Sequence, residues 1–388
     1  MPRASLLLRS IVLLAAVPAG GYGAFRLLQA TPDTVVDVHR LGPPPVGAVH
    51  FGGPDRPSRA LATLLRARID AVPAGGRIAW ATYYFRDLDL ARALIRASDR
   101  GVRVTLTFDG SPRLGGANAA AIDLLRRHGL GGGLVLRQRP ALLRAVAGRL
   151  HSKIYMFSHP TPVALIGSFN PSGDADTDRA VIDEIGDQDR GHNLLVEVTG
   201  AGLVAALEAQ VQRIVDGGGS AGRFGLQANR IVRDGDTDLF FYPRLRPEVV
   251  ERAVDALGPG DRMWGAISHL KADMVDRLAR AGSAGARIEL VVHDTERRVP
   301  EAAVARLRAA GVDVRRYAHP DGLPMHAKFL VLTRNGQTTS YVGSLNYNRN
   351  SRWLNDEVLM RSGDAALARA LIARHAAIGR EIDGFAGR

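Results

Sequence analysis

The sequence predicts an α/β protein built of two similar lobes, each a mixed or parallel sheet flanked by helices, with one shared active site at their interface. Three observations predict it. Segments with strand and helix character alternate from about residue 48. One strand–helix–strand cycle recurs in the second half of the chain. One short motif also occurs once in each half.

The first cycle begins with Arg77-Ile78-Ala79-Trp80-Ala81-Thr82-Tyr83-Tyr84-Phe85, which reads as a buried strand running into a loop. Asp89 is placed to cap a following helix, and Gly101 sits where a C-terminal glycine belongs. Val102, Val104, Leu106 and Phe108 then alternate with polar positions, as in a strand. A strand, a helix and a strand in this length imply a parallel crossover unit. In the second half Arg262–Ile267 resembles the first strand. Gly285-Ala286-Arg287-Ile288 answers Gly101-Val102-Arg103-Val104 at an offset of 184 residues. His326 answers His151 at 175 and Ser344 answers Ser168 at 176. Offsets that drift around one value indicate a duplicated unit with loop insertions. The lobes are expected over residues 48–216 and 222–388. Gly217-Gly218-Gly219-Ser220 would connect them, and the proline-rich stretch 31–47 would be a linker.

Residues 1–30 read as a signal peptide or membrane anchor. Arg3 and Arg9 precede the apolar run Ile11–Val17, and Pro18, Ala19 and Gly20 follow. Val17 and Ala19 fit a cleavage site, while an uncleaved anchor would run to about Leu28. The protein is therefore expected to be exported, either secreted or held at the outer face of the membrane. The absence of cysteine excludes disulfides, thiolate metal sites and a cysteine nucleophile. The net charge of +12 favours anionic partners without choosing among nucleic acid, lipid surfaces and small phosphates.

Each half carries the same ordered set. The first reads His151-Ser152-Lys153 and then Gly167-Ser168-Phe169-Asn170. The second reads His326-Ala327-Lys328 and then Gly343-Ser344-Leu345-Asn346. In a strand, residues two apart share a face, so each His would project with its Lys and each Ser with its Asn. Asn335-Gly336 signals a hairpin turn that would set the two pieces of the second motif side by side. Only Lys153, Lys271 and Lys328, among 51 basic residues, are lysine. Chance would supply about 0.1 His-x-Lys pair. Two occur, with 16 and 17 residues from His to Gly.

The chemistry of these residue types is coherent. Ammonium groups of Lys153 and Lys328 suit a phosphate, and Ser168, Asn170, Ser344 and Asn346 offer neutral donors to its remaining oxygens. One imidazole would attack phosphorus, and the other would protonate the leaving alcohol. Two lysines supply the positive charge, so neither a metal nor another cofactor is expected.

On these motifs the sequence resembles the phospholipase D superfamily, in which His-x-Lys-x4-Asp followed by Gly-Ser-x-Asn occurs twice. The resemblance runs from about residue 48 to 385. It implies a two-lobed α/β enzyme with a shared site and a covalent phosphohistidine. His151, Lys153, Ser168 and Asn170 would pair with His326, Lys328, Ser344 and Asn346. The family's Asp falls on Ser158 and Thr333, so neither half has it. A catalytic imidazole also wants an acceptor on its second nitrogen. Glu357 lies where the family often carries such a carboxylate. Aligning Leu194-Leu195-Val196 with Val358-Leu359-Met360 puts Asn193 at the matching place, with Glu197 as second choice.

Two further features stay open. The acidic insertion Asp174, Asp176, Asp178, Asp183, Glu184, Asp187 and Asp189 reads as a solvated loop, a lid or a cation site. Against a calcium loop, Arg179 and Ile185 occupy the places of its glycine and final glutamate. Tyr83, Tyr84 and Phe85 are candidates for either the substrate pocket or plain packing. The reading that follows is a phospholipase D-like phosphodiesterase or phosphatidyltransferase on phospholipid head groups, acting as a monomer at a membrane surface. A nuclease and an inactive phosphate-binding protein are the alternatives.

Overall fold

The computed structural model describes residues 32–40, 42–138, 148–172, 182, 184–217 and 229–385. The strands are β1 Thr34–Asp37, β2 Val46–Gly52, β3 Arg77–Thr82, β4 Arg103–Asp109, β5 Leu134–Arg137, β6 Ile154–Phe157, β7 Val163–Gly167 and β8 Asn193–Val198 in the first half. They continue as β9 Arg230–Asp234, β10 Thr237–Tyr242, β11 Arg262–Ile267, β12 Arg287–His293, β13 Asp313–Tyr317, β14 Lys328–Arg334, β15 Gln337–Gly343 and β16 Glu357–Ser362. The helices are α1 Ala60–Asp70, α2 Leu88–Asp99, α3 Ala119–His128, α4 Ala201–Val215, α5 Val249–Asp255, α6 Ala272–Ser283, α7 Glu301–Ala309, α8 Arg349–Trp353 and α9 Ala365–Phe385.

Two mixed sheets result. One has the order β2-β8-β7-β6-β3-β4-β5, the other β1-β9-β10-β16-β15-β14-β11-β12-β13. The run β8-β7-β6-β3-β4-β5 matches β16-β15-β14-β11-β12-β13 strand for strand, and β2 corresponds to β10. The duplication inferred from drifting offsets is thus a duplicated sheet. Among the named strands, parallel pairing joins β3-β4-β5, β11-β12-β13 and β1 beside β9.

Strand alternation sorts side chains between an inner and an outer face. On β3, Ile78 and Trp80 face outward onto α1, α2 and α3, while Ala79 and Ala81 face inward. On β14, Leu330 and Leu332 face outward with α5, α6 and α7, while Phe329 and Val331 face inward. The inner faces of both sheets, with α4 and α9, bury one common core. Burying a single large aliphatic or aromatic side chain stabilises by roughly 1.5–3 kcal/mol. A shared core of this kind therefore fixes the two lobes against each other. Arg374 of α9 reinforces the junction by donating to Asp55 and to the Gly52 carbonyl of the other lobe.

Three sequence expectations need correction. The stretch 31–47 is not a plain linker. Thr34–Asp37 pairs in parallel with β9 of the C-terminal sheet, and Val46 already begins β2. Pro43, Pro44 and Pro45 break the chain only between these two strands. The cap of α2 is Asp87, not Asp89: Asp87 Oδ1 accepts from the backbone N–H of Asp89 (3.0 Å) and Leu90 (2.9 Å). Glu197 is far from any histidine of the motifs. It pairs with His50 (3.0 Å) and Arg68. The connection 218–220, the N-terminal segment 1–30 and Asp174, Asp176, Asp178 and Asp183 lie outside the described residues. Among the described residues no helix is long and apolar enough to cross a membrane.

Candidate active site

The two motifs are built alike. β6 and β7 form one antiparallel hairpin and β14 and β15 the other, the latter turned by Asn335-Gly336 with φ 50° and 77°. The glycine of each Gly-Ser is imposed by the adjacent strand. A Cβ on Gly167 would meet the Leu194 carbonyl at 2.2 Å, and one on Gly343 would meet the Val358 carbonyl at 2.2 Å. That approach lets the following serine reach across. Ser168 Oγ accepts from Leu194 N–H (3.1 Å) and donates to Asn193 Oδ1 (3.0 Å). Ser344 Oγ accepts from Val358 N–H (3.1 Å) and donates to Glu357 Oε2 (2.5 Å). Both serines are fully buried. The expectation that Ser168 and Ser344 contact phosphate is therefore corrected: their hydroxyls are committed to holding Asn193 and Glu357.

Those two residues in turn hold the histidines, and they do so across the lobes. His151 Nδ1 lies 2.8 Å from Glu357 Oε2, and His326 Nδ1 lies 2.9 Å from Asn193 Oδ1. The backbone enforces the exchange. His151 N–H donates to the Asp356 carbonyl and His326 N–H to the His192 carbonyl, both at 2.9 Å. Each donor precedes or begins a motif strand, and each acceptor immediately precedes the orienting residue of the opposite lobe. With Nδ1–H given to an oxygen, the neutral tautomer carries its lone pair on Nε2 in both rings. Neither half-site is complete within its own lobe.

Both histidines and Asn170 and Asn346 line one cavity of about 670 Å³. Lys153 and Lys328 stand just beneath, each donating to the carbonyl of its own motif histidine at 2.7 and 2.8 Å. Lys328 Nζ is also 3.1 Å from His326 Nε2. Burial dominates the ionisation. It lowers His151 to about 4 against the opposing pull of Glu357, and Lys153 to about 7 against the same carboxylate. Burial and then the Lys328 charge hold His326 well below its usual value. Burial and then the Lys153 charge do the same to Lys328. Burial alone would raise Glu357, but His151, Lys153 and Ser344 outweigh it and keep the carboxylate ionised. Four buried basic groups whose charge is held down by burial and by one another would regain it beside an anion, which is what a phosphate site requires.

The aromatic run divides. Tyr83 and Tyr84 line the cavity, and the Tyr83 ring stands 5.3 Å from that of His151. Phe85 is fully buried against Trp80 and Phe108. The described end of the acidic insertion is not a solvated loop. Ile185, Asp187, Gln188 and Asp189 are buried, and Glu184 and Ile185 reach the cavity wall. Among the described residues no group of three or more His, Asp or Glu side chains could hold a metal.

Sequence reasoning missed His269, Lys271, Arg297 and Arg298, all on this wall. A signal existed for two of them. Ser268-His269 occupies the place of Tyr83-Tyr84 in the duplicated unit, and Lys271 is the third of the three lysines.

Paired sheets, exchanged orienting residues and two His-Lys half-sites on one cavity define a two-lobed class of phosphodiester-handling proteins. A family model described as "Cardiolipin synthase, PLD-like domain" matches residues 69–213 and 260–377, more than half of the chain. The chain belongs to this family, within the phospholipase D superfamily, whose members are phosphodiester-handling enzymes. No curated protein matches it. Among solved structures, it resembles phosphatidylserine synthase from Haemophilus influenzae Rd KW20, with a TM-score of 0.61 and 12% identity over 92% of this chain and 90% of that one. It also resembles polyphosphate kinase from Porphyromonas gingivalis, with a TM-score of 0.58 and 16% identity. That match covers 85% of this chain but 50% of the kinase.

Proposed function

We propose that the protein cleaves or exchanges phospholipid head groups through a phosphohistidine on His151, with His326 as acid and then base. The observation that carries this reading is the bond from His151 Nδ1 to the buried Glu357 carboxylate. A phosphorylated imidazole carries positive charge, and a carboxylate beneath it stabilises that charge where a neutral amide would not. His326, resting on Asn193, makes the weaker base and hence the readier proton donor.

In the first step His151 Nε2 attacks phosphorus while the bond to the alcohol oxygen breaks. His326, protonated on Nε2, gives its proton to that oxygen. Water or a second alcohol then loses a proton to His326 and attacks phosphorus, and the phosphorus–nitrogen bond breaks. An anionic phosphate beside Lys153 and Lys328 offsets the positive field on His326 and favours its protonation. Lipid as the substrate class is supported by the family model's description. The basic, apolar and small-residue order at the N-terminus supports delivery to the outer face of a membrane.

Single-turnover experiments with a short-chain phosphatidylglycerol and, in parallel, single-stranded DNA test the reading. The His326→Asn variant should accumulate a phosphorylated peptide containing residue 151, and His151→Asn should yield none. Each should cut steady-state turnover by about 10³-fold or more. Phosphate trapped on His326 would reverse the assignment, and cleavage of DNA alone would replace lipid with nucleic acid.

A further inference from the structure

His192 and Asp356 hold matching places, each immediately before the residue beneath a motif histidine. Their backbones act alike. His192 N–H donates to the Pro324 carbonyl and its own carbonyl accepts from His326 N–H, both at 2.9 Å. Asp356 N–H donates to the Arg149 carbonyl (2.8 Å) and its carbonyl accepts from His151 N–H (2.9 Å). Their side chains differ. His192 is only 1% exposed, and α9 of the other lobe grips its ring at both nitrogens. Nδ1 lies 2.8 Å from Arg374 Nη2, and Nε2 lies 3.0 Å from Glu381 Oε2. Arginine can only donate, so Nδ1 accepts and the ring proton sits on Nε2, given to Glu381. Burial lowers the ring's pKa against the pull of Glu381, in keeping with a neutral ring. Tyr317 closes the set. Its hydroxyl donates to Glu381 Oε1 at 2.6 Å, and its ring meets that of His192 edge-on at 4.7 Å.

The first half of the duplicated unit has no copy of this grip among its described residues. α4 follows β8 as α9 follows β16. Arg374 lies nine residues beyond Ala365, and nine residues beyond Ala201 stands Gln210. α4 has 15 residues against 21 in α9, and Glu381 lies in the extra length. The grip thus belongs to the His326 half-site alone. That half-site has more need of it. Glu357 holds His151 by a charge-assisted bond, about twice as strong as a neutral one. Asn193 offers His326 only a neutral carbonyl, so the direction of that ring depends on how rigidly the amide is carried. His192 is covalently joined to Asn193, and its own carbonyl takes His326 N–H. Fixing the His192 ring therefore fixes both supports of His326. A reacting group displaced by about 1 Å can lose about 10²-fold in rate.

We infer that His192 is a positioning residue for proton transfer: α9 locks its ring through Arg374 and Glu381, and the locked His192-Asn193 pair aims His326 at the oxygen that leaves or attacks. The inference rests on the reading of His326 as acid and then base. It gives the lobe junction a part in the reaction, because Arg374 joins Asp55, Gly52 and His192 at once.

The test follows p-nitrophenolate release from bis(p-nitrophenyl) phosphate by the full chain in stopped flow. Nitrophenolate leaves as a stable anion, so the first step draws no proton from His326. Hydrolysis of the phosphohistidine does need His326, which takes a proton from water. His192→Phe should keep the burst rate within about threefold of native and lower the steady rate by about tenfold or more. Tyr317→Phe removes one hydroxyl from the set and should give the same pattern, with the steady rate lowered roughly threefold. An equal loss in both phases would make His192 a support of the fold alone and overturn the inference, as would no loss in either. If the native protein shows no burst, the phosphohistidine reading fails, and the Nδ1 protons of the two histidines decide instead. Each should give a slowly exchanging proton resonance in the native protein. In His192→Phe the resonance of His151 should remain and that of His326 should be lost. Retention of both would overturn the inference.

Discussion

The two half-sites share a backbone and differ in one atom type. Glu357 lies beneath His151 at 2.8 Å and Asn193 beneath His326 at 2.9 Å, each reached by the serine of its own lobe's Gly-Ser. The difference teaches how a duplicated fold assigns two roles. Symmetry delivers two imidazoles with the same tautomer to one cavity. One carboxylate replaced by an amide then decides which ring tolerates positive charge. The walls differ as well: Tyr83 stands beside His151, and the duplicated unit puts Ser268-His269 at the place of Tyr83-Tyr84 in the second half.

The largest expected effect comes from erasing that difference at Glu357. Glu357→Gln keeps an oxygen for His151 Nδ1–H but removes the charge. Phosphoenzyme formation measured by rapid quench should slow by about 10²-fold. The pH profile moves as well. Glu357 opposes the fall of the His151 pKa, so its removal lowers that value further. The attacking form is the neutral one, so the acid limb should shift to lower pH. A rate within threefold of the native one would mean that the carboxylate does not distinguish the halves.

Asn193→Asp makes the halves alike from the other side, with a smaller effect. A carboxylate beneath His326 favours its imidazolium and raises its pKa. His326 must hold a proton when the alcohol leaves, and activity falls as pH rises through its pKa. The alkaline limb of kcat should therefore move to higher pH, with only a few-fold change in rate at neutral pH. Asn193 Nδ2 also donates to the Gln188 carbonyl at 3.0 Å, and an aspartate would set two acceptors face to face there. A loss of stability of about 1 kcal/mol should accompany the shift. An alkaline limb that stays in place would remove His326 from the proton transfer.

The sequence exposed the duplicated unit and both motifs because residue type and spacing alone carry them. It also exposed Asn193 and Glu357, since aligning the halves needs no geometry. It hid the exchange between lobes, because pairing Leu150 with Asp356 and His192 with Met325 joins strands far apart in the chain. It hid the use of the serines, because a hydroxyl reads the same whether it meets phosphate or holds a carboxylate. Arg298 was invisible for a related reason. In a chain whose basic residues are almost all arginine, only burial distinguishes one of them.

The smallest expected effect concerns what both halves lack. Ser158 and Thr333 stand where the resemblance places an aspartate, five residues beyond each motif lysine. Five residues of strand span roughly 16 Å, which puts these positions at the far end of β6 and β14 from the cavity. Their local duties differ. Ser158 Oγ accepts from Arg77 N–H at 2.7 Å, tying β6 to the start of β3. Thr333 and Thr338 share a hydroxyl bond of 2.9 Å across the β14–β15 hairpin. An aspartate at 158 can still accept from Arg77 N–H. One at 333 replaces a hydroxyl that can donate or accept with a group that only accepts, which Thr338 can satisfy by donating. Ser158→Asp and Thr333→Asp should each change kcat/KM by less than about twofold and shift stability by no more than roughly 0.5 kcal/mol in thermal unfolding. A gain of tenfold or more from either would show that the missing carboxylates limit the reaction from a distance, and that the two half-sites are unequal in more than the residues beneath their histidines.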